Sequence, residues 1–185
     1  LVDMPKLHDK AIIRLEPDET ARLLDFIEHG GDDLTGQKKV YYEKTKERDL
    51  AIVTLLLGTG IRVSECVGLD ITDIDFNSNG IRVVRKGGSE MSVYFGDEVE
   101  QALKTYINGS RKLINPQEGH ENALFYSTQR RRIGVGAVEN LVKKYSRQVT
   151  PLKKITPHKL RSTYGTTLYQ ETGDIYLVAD VLGHK

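Results

Sequence analysis

Five residues with cationic or imidazole side chains stand where they could act on a phosphate: Arg62, Lys86, His158, Arg161 and His184. Arg62 comes two residues after the end of a Gly-Thr-Gly break, and Lys86 precedes two glycines. His158 and Arg161 are three residues apart, so they share one face if the segment is helical. A proline before His158 places both in a first helical turn, where free backbone N–H groups also favour an anion. If these five residues converge, they make a phosphate-binding pocket.

Such a pocket has the side chains that phosphoryl transfer needs. An arginine offers a planar fork to two phosphate oxygens, and two forks neutralise the charge that grows on a pentacoordinate phosphorus. A flexible lysine can protonate a departing oxygen. The sequence has no acidic cluster at these positions to hold magnesium, and its five histidines lack metal-ligand spacing. We therefore expect metal-free chemistry, with no metal site and no cofactor.

Each of these residues also has an ordinary structural interpretation. Arg62 could simply pair with Glu65 on one helix face, and a lysine at a hairpin tip is usually a solvated charge. Each histidine, taken singly, is more often a surface or structural residue. The glycine segment at 58–60 is too short for a nucleotide-binding loop, so it is interpreted as a helix break.

Apolar periodicity, glycine and proline predict the elements that must position these side chains. Helices are expected at 17–29, from about 46 to the break at 58, at 62–68, from 97 onward, and at 134–149, 157–172 and 174–182. Strands are expected at 71–76, 81–84 and 91–95, and loops at 30–42 and 115–122. The predicted fold class is mainly α with a small antiparallel β-sheet, and Lys86 lies at a hairpin tip.

Composition fits one globular domain over residues 1–185, because 38% of the residues are hydrophobic and 29% are charged. No apolar run reaches the roughly 20 residues that span a bilayer, and no signal peptide is visible, so we expect no membrane association. The single cysteine, Cys66, excludes an internal disulfide and favours a reducing, cytoplasmic setting. Because the first residue is Leu1 rather than Met, we interpret the chain as a fragment or a processed product.

Basic charge is concentrated towards the C-terminus. Residues 1–125 hold 16 Lys and Arg against 22 Asp and Glu, whereas 126–185 hold 11 against 4. This segregation indicates binding to a polyanion, with a solvated, lysine-rich helix face as the alternative. Backbone-phosphate contacts that read no sequence are expected from Arg130, Arg131, Arg132, Lys143, Lys144 and Lys159.

Four segments, in this order, resemble the catalytic domain of the tyrosine recombinases, the family of phage-type and transposon integrases and Xer-like resolving enzymes. They are TGIRVSE at 59–65, RKGG at 85–88, PHKLR at 157–161 and LGH at 182–184. Lys86 lies 24 residues after Arg62, and His184 lies 26 residues after His158. One such segment alone is a weak signal, but four in order on the expected helix, hairpin and helix are specific.

By this resemblance Arg62 and Arg161 grip the scissile phosphate, and Lys86 is the general acid for the 5′ hydroxyl. His158 assists proton transfer and His184 donates a hydrogen bond to the phosphate. The implied reaction is site-specific recombination of double-stranded DNA by transesterification. A tyrosine attacks the DNA and forms a 3′-phosphotyrosine, which a strand from a second duplex then displaces, so no ATP is implied.

The chain also departs from the family pattern. The nucleophilic tyrosine is expected a short distance past His184, whereas the sequence ends at Lys185. We therefore expect this fragment to lack the tyrosine segment and the N-terminal DNA-clamping domain, and to be inactive alone. Tyr164, Tyr169 and Tyr176 lie upstream of His184 and are interpreted as packing residues.

Two further positions bear on the resemblance. Glu65 resembles the family's acidic residue that supports the first arginine, and Ser162 stands where many relatives have a further histidine.

Several alternative functions stay open. A type IB topoisomerase shares the pocket chemistry, although the TGIRVSE and LGH segments favour a recombinase. A non-catalytic DNA-binding module is the second alternative. An RNA-binding domain is the third, and it is disfavoured because the sequence lacks an aromatic stacking motif.

The family also implies a setting for the reaction. The RSTYGT run at 161–166 favours the integrase of a mobile element over the Xer pattern. The resemblance further implies homotetramers on DNA for the full-length protein, a monomer for this fragment, and a cytoplasmic, nucleoid-associated location.

Overall fold

The computed structural model of the protein describes residues 13–173, over which the chain forms six helices and a small three-stranded sheet. The helices are α1 (Pro17–His29), α2 (Gly36–Thr59), α3 (Val63–Val67), α4 (Asp97–Asn108), α5 (Val135–Val149) and α6 (Pro157–Thr172). The strands are β1 (Ile74–Asp75), β2 (Gly80–Val84) and β3 (Glu90–Tyr94). The predicted fold class is therefore confirmed. The helix predicted at 174–182 lies outside the described residues.

Helix α1 begins where the sequence predicts, because Pro17 occupies its first position and acidic residues cap it. The backbone N–H of Glu16 donates a hydrogen bond to the Glu19 carboxylate over 2.9 Å. Leu23 and Ile27 are buried on the inner face. Helix α1 consequently covers one side of the core and packs against α2 and α5.

Helix α2 begins at Gly36, not near Lys46, so the loop prediction for 30–42 is wrong over 36–42. This segment looks like a loop because it is polar, but glutamine and lysine are good helix formers. Tyr42 also ties it to the core, since its hydroxyl donates to the Ile27 carbonyl over 2.8 Å. Further along, α2 is buried on nearly every side, and it contacts α1, α4 and α6 as the central helix.

The sheet has the order β1-β2-β3, with both strand pairs antiparallel. The predicted hairpin is confirmed, and Ile81 lies opposite Val93 on its buried face. The predicted strand at 71–76 is wrong over 71–73, which forms a 3-10 turn, and at 76, which lies in the turn after β1. The physical reason is a cap, because the Asp70 backbone N–H donates to the Asp73 carboxylate over 2.8 Å and bends the chain.

One hydrophobic core joins these elements. Each of the six helices and the hairpin contributes a buried residue: Leu23, Ile52, Cys66, Ile81, Leu103, Val138 and Leu160. The long connection between α4 and α5 is fastened by Arg111, whose guanidinium donates to the carbonyls of Leu124 (3.0 Å) and Ala123 (2.7 Å). Within residues 13–173, no helix is both long enough and apolar enough to cross a lipid bilayer.

Candidate functional site

Arg62 is placed by the turn that ends α2. Gly60 adopts the left-handed conformation with a φ of 68°, and its N–H donates to the Leu56 carbonyl over 3.0 Å. Ile61 is buried beyond this turn, so the chain is anchored just before Arg62 leads into α3. The Arg62 side chain is 43% exposed, and its guanidinium is therefore accessible to a ligand from solvent.

Arg161 reaches the same turn from α6. Its guanidinium donates a hydrogen bond to the carbonyl of Gly60, which lies 101 residues earlier in the chain, and the residue is buried. Burial lowers the pKa of Arg161 from its ordinary value, and the positive charge of Arg62 lowers it further. Because an arginine stays protonated even so, the fold holds two positive charges at one turn.

A buried carboxylate holds these charges together. The Glu65 side chain is 4% exposed, and its Oε1 accepts a hydrogen bond from the Arg62 backbone N–H over 2.8 Å. Its Oε2 lies 3.8 Å from Nη1 of Arg62 and 3.6 Å from Nε of Arg85. We call Arg62, Glu65, Arg85 and Arg161 the arginine cluster. Its positive charge exceeds its negative charge, so it favours an anionic ligand.

Arg85 is the member of this cluster that sequence reasoning missed. The sequence drew attention to Lys86 in this segment and suggested no role for its neighbour. A signal was nevertheless present, because alternate residues of a strand share one face. Ile81 and Val83 point inward from β2, and Arg85 continues that series just past the strand's end. Its side chain is 9% exposed.

Lys86 lies at the exposed tip of the turn between β2 and β3. The N–H of Arg85 donates to the Ser89 carbonyl over 2.7 Å, and the N–H of Gly88 donates to the Arg85 carbonyl over 2.9 Å. Gly87 and Gly88 have φ values of 94° and 87°, which suit glycine alone. The turn therefore begins at a member of the arginine cluster and presents the lysine as the next residue.

His158 is exposed in the first turn of α6, three residues before the buried Arg161. The turn is capped by Thr156, whose Oγ1 accepts a hydrogen bond from the Lys159 N–H over 3.3 Å. The hydroxyl of Ser162 donates to the His158 carbonyl over 3.1 Å. Helix α6 thus carries both residues of the HxxR segment near its N-terminus, with His158 exposed to solvent and Arg161 directed at the Gly60 turn.

The structure describes only some of the residues singled out in the C-terminal part of the sequence. His184 and Tyr176 lie outside the described residues. Tyr164 is half-buried on α6, and burial raises its pKa above the ordinary value. This burial fits the packing role predicted for Tyr164.

The arginines at 130–132 divide between surface and interior. Arg130 and Arg131 are exposed, on the connection between α4 and α5. Arg132 is half-buried, and its guanidinium donates to the carbonyls of Val67 (3.1 Å) and Leu69 (2.8 Å). The same guanidinium forms an ion pair with the Asp70 carboxylate. Arg132 therefore braces the segment that follows α3, a structural role that the sequence did not indicate.

The basic residues of α5 and α6 differ in their exposure to solvent. Lys143 and Arg147 are exposed one helical turn apart on α5. The ammonium of Lys144 lies 5.0 Å from the centre of the Tyr41 ring and 4.5 Å from that of the Tyr145 ring. Burial lowers the pKa of Lys144. Lys159, the remaining predicted phosphate contact, is half-buried on α6.

The cluster has the chemistry of a phosphodiester site. Two guanidinium groups and an adjacent lysine can bind the oxygens of one phosphate and stabilise charge that grows on them. Within the described part of the chain, no group of three His, Cys, Asp or Glu side chains is placed to hold a metal ion.

Comparison with known proteins identifies the family. The model of the phage integrase family matches residues 13–185. The chain therefore belongs to this family, the tyrosine recombinases, as the four sequence segments predicted.

Its relatives include both recombinases and integrases. The tyrosine recombinase XerS of Streptococcus thermophilus is 39% identical over 171 residues, which are 90% of this chain and 47% of the relative. The crystal structure of XerA recombinase superposes with a TM-score of 0.75 at 30% identity, covering 93% of this chain and 56% of that one. The Tn1549 transposon integrase in complex with circular intermediate DNA gives 0.70 at 27% identity, over 99% of this chain and 62% of that one. The chain thus spans about half the length of the curated relatives that it matches.

Proposed function

We propose that this chain is the catalytic domain of a site-specific DNA recombinase that cuts and rejoins strands through a 3′-phosphotyrosine. The arrangement of Arg62 and Arg161 at the Gly60 turn, around buried Glu65, is the observation that carries the proposal. Two arginines held this close bind a phosphodiester in two forked contacts and match its trigonal-bipyramidal transition state.

The other residues have distinct roles in the proposed reaction. Lys86 is the general acid for the 5′ oxygen, because it extends from an exposed turn beside the cluster. His158 assists proton transfer from the first turn of α6. His184 donates a hydrogen bond to the phosphate, a role that rests on the family resemblance alone.

The proposed reaction consists of two balanced displacements. A tyrosine hydroxyl passes its proton to His158 and its oxygen forms a bond to phosphorus, the bond from phosphorus to the 5′ oxygen breaks, and the proton of the Lys86 ammonium passes to that oxygen. The 5′ hydroxyl of a second strand then attacks the phosphotyrosine and returns a proton to Lys86, and the tyrosine oxygen leaves with the proton held by His158. One phosphodiester replaces another, so no nucleotide cofactor is consumed. The family resemblance places the tyrosine shortly after Lys185.

We further propose that the substrate is the end of a mobile element, bound by the full-length protein as a tetramer. The RSTYGT run and the likeness to the Tn1549 integrase support this assignment, and the higher identity to XerS makes an Xer-type recombinase the second candidate. Duplex DNA is bound through backbone phosphates by exposed cations, chiefly Arg130, Arg131 and Lys143. Arg132 is left out of this set, because its guanidinium is half-buried and donates to the carbonyls of Val67 and Leu69, whereas Arg130 stays exposed although it donates to the Asn115 carbonyl.

A covalent trapping experiment tests the proposed function. The full-length protein is mixed with nicked duplex DNA carrying the end of its element, in the presence of a chelator. We expect a protein–DNA adduct that resists SDS and survives chelation. Arg62→Ala should reduce its rate of formation by about 10²-fold or more, because the transition state is deprived of a guanidinium that stabilises its charge.

The matched control is Arg82→Ala. Arg82 lies on β2 but faces solvent, where it pairs with Asp73 at 2.9 Å and Glu90 at 3.1 Å, and its replacement should leave the adduct unchanged. Specific DNA binding without any adduct would instead support a non-catalytic DNA-binding module. An adduct on DNA of any sequence would support a type IB topoisomerase.

A further inference from the structure

Arg85 occupies an unusual position, because one residue serves both the arginine cluster and the turn that carries Lys86. Its side chain turns inward, 9% exposed, with Nε 3.6 Å from the Glu65 carboxylate. Its backbone closes the hairpin turn through the two hydrogen bonds to Ser89 and Gly88. The residue that follows it is the exposed lysine.

We propose that Arg85 is a positioning residue for the general acid, in that its ion pair with Glu65 anchors the turn from which Lys86 reaches the leaving oxygen. This inference rests on the proposed function. The Glu65 carboxylate pairs with Arg62 as well as with Arg85. This one carboxylate therefore sets the distance between Arg62, which binds the phosphate, and the turn that carries Lys86.

The need for an anchor follows from the turn itself. Lysine has a flexible stem, and two glycines with positive φ follow Lys86 directly. A glycine-rich turn with a long side chain at its tip samples many positions, and a proton donor works only within hydrogen-bond reach of its target. The Arg85 side chain restricts the turn at its base, where it meets the buried carboxylate of Glu65.

A direct role for Arg85 on the phosphate is the competing interpretation. Arg62, at 43% exposed, is open to a ligand, whereas Arg85 is almost fully enclosed and directed at Glu65. Its charge also contributes to the lowered pKa of Arg161, after burial and Arg62. This placement favours action through Lys86.

Substituting sulfur for the 5′ bridging oxygen of the scissile phosphate distinguishes the two interpretations. A thiol has a pKa of about 8.5, far below that of an alcohol, so a thiolate leaves without a proton donor. Cleavage rates are measured on oxygen and sulfur substrates for the full-length wild-type protein and for Arg85→Ala, Lys86→Ala, Arg62→Ala and Arg82→Ala.

We expect Lys86→Ala to lose about 10²–10⁴-fold on the oxygen substrate and to approach the wild-type rate on sulfur. Arg85→Ala should lose roughly 10-fold or more on oxygen, as a misplaced proton donor does, and should also recover on sulfur. Arg85→Lys, which keeps a cation opposite Glu65, should restore most of the oxygen rate. Arg62→Ala should stay slow on both substrates, and Arg82→Ala should match wild type on both.

The outcomes separate this inference from the proposed function. If Arg85→Ala stays slow on sulfur while Lys86→Ala recovers, Arg85 acts on the phosphate or on folding, and the positioning role is overturned. If Lys86→Ala does not recover, the general-acid assignment and the inference fail together. If wild type cleaves neither substrate at a verified site, the proposed function itself is wrong. Thermal unfolding of each variant identifies any rate loss that comes from misfolding.

Discussion

At the scale of single residues, Asp49 shows how the fold compensates a buried charge. Its carboxylate is fully buried at the middle of α2. Oδ1 accepts hydrogen bonds from Nε (3.0 Å) and Nη2 (2.9 Å) of Arg48, and Oδ2 accepts one from the Tyr145 hydroxyl at 2.7 Å. An ionised carboxylate can stay in the interior only with such partners. The Tyr145 hydrogen bond also links α5 to α2.

Removing this hydroxyl should therefore destabilise the protein. We expect Tyr145→Phe to lower the free energy of unfolding by about 1.5–3 kcal/mol, because a buried carboxylate loses a hydrogen bond. Urea denaturation followed by circular dichroism measures the change. Tyr94→Phe is the matched control, since Tyr94 is 64% exposed and its hydroxyl should contribute less than about 0.5 kcal/mol. Equal effects of the two substitutions would contradict this account.

Cys66 provides a second prediction at this scale. Burial raises the pKa of its thiol to about 12, whereas an exposed thiol has a pKa of about 8.5. The native thiol should therefore resist a disulfide reagent such as Ellman's at pH 8, and react promptly once urea unfolds the chain.

The raised pKa of Cys66 also determines how the stability of the fold depends on pH. Because the folded pKa is the higher one, the stabilising contribution of the neutral thiol is complete below about pH 8.5 and decreases as the pH rises further. Cys66→Ala should remove this part of the alkaline loss of stability. Rapid labelling of native Cys66 at pH 8 would show that the thiol is not enclosed as described.

At the scale of elements, the junction of α2, α3 and α6 determines the site. Gly60 ends α2 in the left-handed conformation, and its carbonyl accepts the hydrogen bond of Arg161. The sequence indicates this break correctly, because a glycine just past an apolar helix is typical of a C-terminal cap. The Gly60 turn therefore ends α2 just before Arg62 and also binds Arg161.

We accordingly predict that Gly60→Ala affects stability and activity together. A side chain at this φ costs about 1–2 kcal/mol, and a shifted turn displaces both arginines. Chemical denaturation and the rate of adduct formation check the two effects. Gly136→Ala is the matched control, because it lies in α5 with open space around an added Cβ. It should be neutral or stabilising by up to about 1 kcal/mol. A Gly60→Ala variant that matches it in both measurements would refute the role of the turn.

At the scale of the whole molecule, the segregation of charge predicts how the proposed binding to DNA depends on salt. The basic excess lies in 126–185, and the structure leaves Lys143 and Arg147 exposed on one face of α5. Cations that bind backbone phosphates release counterions from DNA, so affinity should fall steeply with added salt.

Fluorescence anisotropy with a labelled duplex, repeated across salt concentrations, measures this dependence. We expect the double substitution Lys143→Ala and Arg147→Ala to make the log–log slope shallower by about 2, because each phosphate that is no longer neutralised reduces it by about 0.9. Lys104→Ala is the control, because Lys104 lies on α4 and pairs with Glu100 at 3.5 Å. An unchanged slope in the double variant would remove this face of α5 from the DNA interface.

Local chemistry explains which elements the sequence predicts well. Helix α1, helix α6 and the β2–β3 hairpin begin or end at proline, capping and glycine residues, whose preferences act within one turn. The start of α2 escapes prediction because its polar first turns are held by a distant contact, from Tyr42 to the carbonyl of Ile27. The strand predicted at 71–76 fails over 71–73 because an aspartate cap outweighs β propensity.

The residue types of the site, their order and the kind of element that carries each one follow from the amino-acid sequence alone, since these depend on neighbours within a few positions. The partners of these residues follow from the packing of the folded chain. Packing places Arg161 against Gly60, adds Arg85 to the cluster, and turns Arg132 inward to brace the segment after α3. The physical reason is that a guanidinium has several donors and can bind any nearby carbonyl or carboxylate. Which acceptor it meets depends on how helices far apart in the chain pack around one core.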